Sequence, residues 1–356
     1  MTLNLKFTPQ DWERIKRDWT AWWNHDLNRP MVVVDNVDWQ GKGFVPQFDG
    51  WDLKKNIYPT DSALDYYQSI LERASFYGDS WPRWWPNFGA GIIAGFQGAT
   101  VGVDENTVWF EAPENIVRLT DIKIQYDANN YWWRWVKTIT QAAVERWADQ
   151  ITVATTDLGG NADILASLRG TQNLLMDLYD APDVLDHLVA ETTQLWLHYY
   201  DELNTIIKIA GIGSTAWAPL WSPGRTYMLQ SDFAYMISPP MFERFVLPDL
   251  ETICNQLDHG FYHLDGKGQI PHLDMMLGIE RLRGIQWIPG DGAPPPENWL
   301  PLLKRIRDAG KLCQLYVSAE GALTIAKELG GKGFTFMISP APKQGIEDLV
   351  KELYSM

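Results

Sequence analysis

Between residues 151 and 354 the chain alternates short apolar runs with helical ones, and no other feature limits the fold so strongly. The runs at 151–156, 213–217, 261–264, 284–287, 312–317 and 333–338 are short and rich in β-branched, aromatic and aliphatic residues, which predicts strands. The stretches at 162–176, 182–210, 239–257, 270–277, 297–309, 319–329 and 345–354 carry helical spacing. Parallel strands need a long crossover, usually a helix, so repeated strand–helix units predict a parallel sheet. At 356 residues the expected fold class is α/β, with a single TIM-like (β/α)8 barrel as one domain over residues 1–356. Residues 150–356 read as the regular part. Residues 1–149 read as an N-terminal helical, Trp-rich elaboration plus the first barrel elements.

The N-terminal part is less regular. Thr8-Pro9-Gln10-Asp11 predicts a helix start: Thr8 caps, Pro9 suits the first turn, and Asp11 favours the positive end. Trp12, Ile15, Trp19 and Trp22 follow at helical spacing. A buried strand is expected at 31–34, a loop at 36–60, a helix at 62–77, a strand or hairpin at 101–110 and a helix at 129–147. Gly89, Gly91, Gly95 and Gly98 match no phosphate-binding spacing and read as close backbone packing. Nineteen tryptophans are far above ordinary usage, and most read as core. Trp217, Trp221 and Trp287 stand in loop or strand-end contexts, where they serve either as core or as flat platforms for ring-shaped ligands.

The formal net charge of −15 argues against a nucleic-acid backbone or an anionic membrane as partner. Cys254 and Cys313 are too few for a disulfide framework and lack metal-type spacing. Residues 1–10 are polar without an apolar core, and no apolar run approaches about 18 residues, so a soluble cytoplasmic protein is expected.

In a barrel, chemistry concentrates at the C-terminal ends of the strands. The apolar run 260–264 delivers His263 and Asp265, two residues apart and therefore on one face, just before a glycine turn. Such a pair can share a proton or hold a cation, so His263 and Asp265 are the candidate metal ligands. Asp157 heads Asp-Leu-Gly-Gly after the run 151–156, and Glu320 follows the run 312–317. Asp232 is placed at the same mouth. The candidate catalytic set is thus Asp265, His263, Asp157, Glu320 and Asp232. Candidate substrate contacts are Trp217, Trp221, Arg225, Gln286, Trp287 and His272. Arg225 suits a clamp for a carboxylate or phosphate, or else a surface ion pair. His25, His187, His198 and His259 have no polar company in the sequence.

Three segments carry a family resemblance. They are Ala166-Ser-Leu-Arg-Gly-Thr-Gln-Asn with Ala181-Pro-Asp, Ser238-Pro-Pro-Met-Phe-Glu-Arg-Phe-Val-Leu-Pro-Asp-Leu, and the His263 run. Together they resemble the uroporphyrinogen decarboxylase superfamily over roughly residues 150–356. Asn28-Arg-Pro and Glu105-Asn-Thr-Val-Trp-Phe look like an uncharacterised branch related to corrinoid-dependent methyltransferases. The resemblance implies a TIM-like barrel. It also implies either tetrapyrrole decarboxylation or zinc-dependent methyl transfer between a corrinoid protein and a thiol. A divalent metal such as zinc, a corrinoid partner protein and a homodimer come with it as expectations.

The chain departs from that pattern where chemistry is concerned. The methyltransferases carry His-x-Cys-Gly, whereas here His263-Leu-Asp-Gly266 puts a carboxylate in the cysteine position, and residues 334–339 hold no cysteine. A carboxylate suits a harder ion than a thiolate does. Decarboxylases of the superfamily grip their many-carboxylate substrate with an arginine-rich N-terminal loop, and Asn28-Arg29-Pro30 has one arginine. Authentic uroporphyrinogen decarboxylation is therefore disfavoured. Three readings stay open: metal-assisted methyl transfer involving a corrinoid partner or a methylated small molecule, a carbohydrate-active enzyme with paired carboxylates and Trp platforms, and a non-catalytic small-molecule binder.

Overall fold

A computed structural model describes residues 3–37, 60–103, 107–147, 149–208, 211–342 and 344–356. Most of the loop expected at 36–60 lies outside these residues, as do Glu105, Asn106 and the expected helix end at Ala210.

The strands are β1 (Met31–Val37), β2 (Ala74–Gly78), β3 (Arg83–Trp84), β4 (Thr100–Val103), β5 (Val108–Glu111), β6 (Thr152–Val153), β7 (Thr226–Leu229), β8 (His259–Asp265), β9 (Leu282–Ile288), β10 (Leu312–Val317) and β11 (Phe334–Ile338). Seven of them form one sheet in the order β2-β1-β11-β10-β9-β8-β7. All neighbours in it are parallel except β2, which runs antiparallel to β1. β3 and β6 pair in parallel as a separate short piece, and Thr155 bridges Ala216 in the same sense. Among the described residues these pairings do not join the sheet edges into a closed ring. The strand expected at 213–217 is reduced to isolated bridges at Ser214 and Ala216. The hairpin expected at 101–110 is β4–β5.

Several expected helices are broken, each with a local cause. The helix expected at 62–77 ends at Leu71, and residues 74–78 become β2, where Phe76 and Tyr77 pair opposite Asp35 and Val34. Aromatic residues fit a pleated surface well. The helix expected at 162–176 breaks at Gly170, whose φ of 84° an L side chain rarely adopts, giving Asn161–Arg169 and Thr171–Asp180. The helix expected at 239–257 breaks at Val246, before Leu247–Cys254. Pro248 donates no N–H and its ring opposes the carbonyl four residues back. The stretch 270–277 begins as a tight 3-10 turn, Lys267–His272, before the helix Leu273–Gly278.

The tryptophan-rich helix α1 (Pro9–Trp23) starts as the sequence predicts, with Thr8 and Asp11 capping each other's backbone N–H. It seals the N-terminal end of the sheet. Trp19, Trp22 and Trp23 are buried against Met31, Val33, Met228, Phe261, Leu312 and Met337. Trp23 stacks on His259 at 4.3 Å between ring centroids, and its indole N–H donates to the Trp221 carbonyl at 2.8 Å. Trp22 stacks on Phe261 at 6.0 Å. Phe261 fits because its neighbour is Gly284: a Cβ there would lie 2.1 Å from the Phe261 ring.

The same end holds a buried ion cluster. Arg29 donates to both oxygens of Asp79 at 2.8 and 2.9 Å and to Asp18 at 3.0 Å. Its guanidinium lies 3.7 Å from the centroid of the Tyr354 ring. Asp79 is fully buried and also accepts from the Val32 backbone N–H at 2.9 Å, which ties α1, β1 and the last helix together. The arginine of the Asn28-Arg29-Pro30 segment is thus committed within the fold. No helix among the described residues is long and apolar enough to cross a membrane.

Candidate functional site

β8 sends His259, Phe261, His263 and Asp265 to one face, as a strand must. The first two lie against Trp23 and Trp22, and the last two reach the C-terminal end. The register places Gln286 of β9 beside His263 and Gln314 of β10 beside Gln286. A polar layer therefore lies on top of the tryptophan plug. His263 Nδ1 is hydrogen-bonded to Gln286 Oε1. Gln286 Nε2 donates to Gln314 Oε1 at 2.8 Å, and Gln314 Nε2 donates to the Pro219 carbonyl at 3.1 Å. Trp217 sets its ring edge-on to His263 at 5.2 Å between centroids and donates its indole N–H to the Met228 carbonyl at 2.9 Å.

The other face of His263 looks at carboxylates. His263 Nε2 is 4.0 Å from Asp265 Oδ2, and one ligand atom from each of Asp232, His263 and Asp265 lies within 4.8 Å of the others. Asp232 sits just beyond β7, in the 3-10 turn Asp232–Met236. Asp163 holds that turn: its carboxylate accepts the backbone N–H of Asp232 at 3.0 Å and of Phe233 at 2.7 Å. Asp157 is buried close by, accepting from the Gly159 N–H at 2.8 Å and from Gln230 Nε2 at 3.3 and 3.4 Å. Burial pushes the Asp157 carboxyl up to about 7. Burial raises Asp163 too, and the charge of Asp232 adds to it. Water reaches Asp232, yet it is set deep among protein atoms. That burial raises it, the Asp265 charge raises it further, and His263 opposes the shift.

Away from this group, Asp249 is also buried, bonded to Asn161 at 2.6 Å and Thr193 at 3.0 Å, and pushed up to about 7 chiefly by burial. An unfolded Asp titrates near ~3.9. Between that pH and about 7 the folded chain holds protons on Asp157 and Asp249 that the unfolded chain has lost. Stability must therefore fall as pH rises through this window, and the raised carboxyl of Asp163 carries the fall beyond it. Urea midpoints of chelator-treated protein across pH 4–8 should show this decline. Asp157→Asn and Asp249→Asn should each flatten it, and an undiminished slope in both variants would contradict the assignment.

The other candidates separate by strand parity and by strand end. Gln286 points inward, so its neighbour Trp287 points outward, fully buried against Trp299 at 5.0 Å between centroids. Trp221 is buried in the plug and donates to the Ile212 carbonyl at 2.9 Å. Neither presents a free face. His272 is buried, stacks on Phe242 at 4.5 Å and bonds the Ala234 carbonyl at 3.0 Å, which buttresses the turn after Asp232. Glu320 is exposed in the first turn of the helix Ala319–Leu329, outside the three-residue group.

Arg225 precedes β7 and so lies at the opposite strand end, paired with Asp201 and packed over the Tyr200 ring at 5.0 Å. Arg225→Ala should cost about 1 kcal/mol or less in denaturant unfolding, as partly exposed pairs do. A larger loss would contradict this placement. Two histidines expected to lack polar company have it: His259 bonds Ser222 at 2.7 Å, and His198 lies 3.0 Å from Glu202.

Asp163, Gln230 and Gln314 join the site without having been singled out in the sequence. Gln314 leaves one signal, a lone amide inside the apolar strand Leu312–Val317. Asp163 leaves none, since an acid in a helix's first turn is ordinary. A cleft of about 460 Å³ opens beside Asp265, between Tyr235, Lys267, Trp299 and the Pro/Gly-rich turn 289–294. Both cysteines are buried elsewhere, and burial pushes the Cys254 thiol up to about 12 and Cys313 still further. Neither is a thiolate ligand.

No family model matches this sequence. No curated protein matches it either. Among solved structures, the chain resembles a methyltransferase from Methanosarcina mazei, with a TM-score of 0.61 over 98% of each chain and 14% sequence identity. The likeness shows a shared mixed α/β fold, here built on a mostly parallel sheet.

Proposed function

We propose that this chain is a methyltransferase-like enzyme whose centre is a divalent-cation site made by His263, Asp265 and Asp232 at the C-terminal end of a TIM-like barrel. The observation that carries the reading is the convergence of those three ligand atoms within 4.8 Å at the ends of β7 and β8. One imidazole nitrogen and two carboxylate oxygens suit manganese, iron, cobalt or zinc, and form a harder set than two thiolates. When bound, such an ion acts as a Lewis acid toward a heteroatom of the substrate. The methyl group passes from the donor heteroatom, which keeps the bonding pair, to a nucleophilic acceptor. A methylated small molecule and a corrinoid protein are the proposed partners in that exchange. The small molecule is placed in the cleft beside Asp265, between Tyr235 and Trp299. Trp217 shields His263 from water on one side. Asp157, with its carboxyl near 7, can hold or release a proton beside the centre.

The fold likeness supports methyl transfer over glycoside chemistry. The carbohydrate reading also loses two of its three stacking platforms, because Trp221 and Trp287 are buried.

The test supplies the protein with manganese or zinc, cob(I)alamin as acceptor and a panel of methylated amines, thiols and alcohols. Conversion of the Co(I) absorption to that of methylcobalamin reports turnover. The expected result is turnover with at least one donor, abolished by chelator and by Asp265→Asn. Turnover that survives in Asp265→Asn, or saturable donor binding without turnover, would contradict the proposal.

A further inference from the structure

We infer that a one-way hydrogen-bond relay, from His263 through Gln286 and Gln314 to the Pro219 carbonyl, fixes His263 as its Nδ1–H tautomer and turns a bare Nε2 toward Asp232 and Asp265. The direction follows from the far end. A carbonyl oxygen only accepts, so the group facing Pro219 at 3.1 Å must be the Gln314 amide N–H. That leaves Gln314 Oε1 facing Gln286, which must answer with its own N–H at 2.8 Å. Gln286 then has only Oε1 to offer His263, and the proton between them belongs to Nδ1. Turning either amide over would set acceptor against acceptor in a buried place, since Gln286 is 1% and Gln314 0% exposed.

The backbone register makes the relay possible. His263, Gln286 and Gln314 are cross-strand neighbours on the inward faces of three consecutive parallel strands. Trp217, two residues before Pro219, braces the imidazole from the side. The loop after residue 216 thus supplies both the acceptor that ends the relay and the ring that holds the histidine. The hydrogen bond at one ring nitrogen sets the tautomer, so the relay selects the form whose Nε2 lone pair is available to a cation. Gln286 and Gln314 are positioning residues. Their effect on affinity rests on the cation site proposed above, whereas the tautomer does not.

Long-range 1H–15N correlation spectra of histidine-labelled, chelator-treated protein near pH ~8, where unperturbed imidazole is neutral, test the relay. His263→Ala identifies the His263 signals. The wild type is expected to show the Nδ1–H pattern. Gln314→Leu is expected to shift His263 toward Nε2–H and to weaken Mn2+ binding by about 10–100-fold, the usual cost of losing an outer partner. Gln286→Met, similar in volume and without an acceptor oxygen, makes the same prediction if Gln314→Leu does not fold. An Nε2–H pattern in the wild type, or an unchanged Nδ1–H pattern in the variants, overturns the relay. An Nδ1–H His263 in a chain that binds no Mn2+ upholds the relay and overturns the cation reading instead.

Discussion

Asp79→Ala should destabilise the protein by about 3–5 kcal/mol, because it removes one partner of a buried ion pair and leaves the other charge stranded. Asp79 is wholly buried, and Arg29 donates to both of its oxygens. The variant also strips the Val32 N–H of its acceptor at the start of β1. Asp18 remains to Arg29 but supplies a single bond at 3.0 Å. The loss should appear as a lower denaturant midpoint with an unchanged slope, the sign of altered stability rather than altered compactness. A change under about 1 kcal/mol, the scale of an exposed pair, would mean that the cluster is far more hydrated than its burial implies.

The second large effect concerns the site. Asp265→Asn and His263→Ala should each lower affinity for a divalent ion by at least about 100-fold, more than the 10–100-fold cost of losing an outer partner. Asparagine keeps the shape of Asp265 but replaces a charged oxygen with a neutral one. The Asp265 side chain is 42% exposed, so the unfolding midpoint should barely move. Equilibrium dialysis against Mn2+ and Zn2+ reads the affinity directly. If both variants bind as the wild type does, the cation lies elsewhere.

What the sequence reveals here follows from the range of the interactions. The alternation after residue 151 is a local pattern, and it becomes the parallel strands β8 to β11 with helices between them, whereas β7 lies outside every run that reads as a strand. The His263-x-Asp265 spacing is also local, and strand parity brings both side chains to one face. The same parity, applied to β9, separates inward Gln286 from outward Trp287. Gly170 and Pro248 mark helix breaks that helical spacing alone passes over. Other features depend on contacts between distant segments. Trp23 meets His259 and Trp221 only once the chain has folded, so Trp221, which its loop context leaves open as a platform, proves to be part of the plug. Pro219, Gln286 and Gln314 lie far apart in the chain and form a relay only through the sheet register. Arg225 depends on which end of β7 it occupies, and Asp201 settles its partner.

The most direct measurement is the position of an ion. Crystals soaked in Mn2+ should give one anomalous peak per chain, about 2.0–2.2 Å from His263 Nε2 and from carboxylate oxygens of Asp265 and Asp232. The peak should vanish in crystals of Asp265→Asn. A soaked crystal with no peak there, or with a peak bound only by other residues, would contradict the cation site on which the proposed chemistry depends.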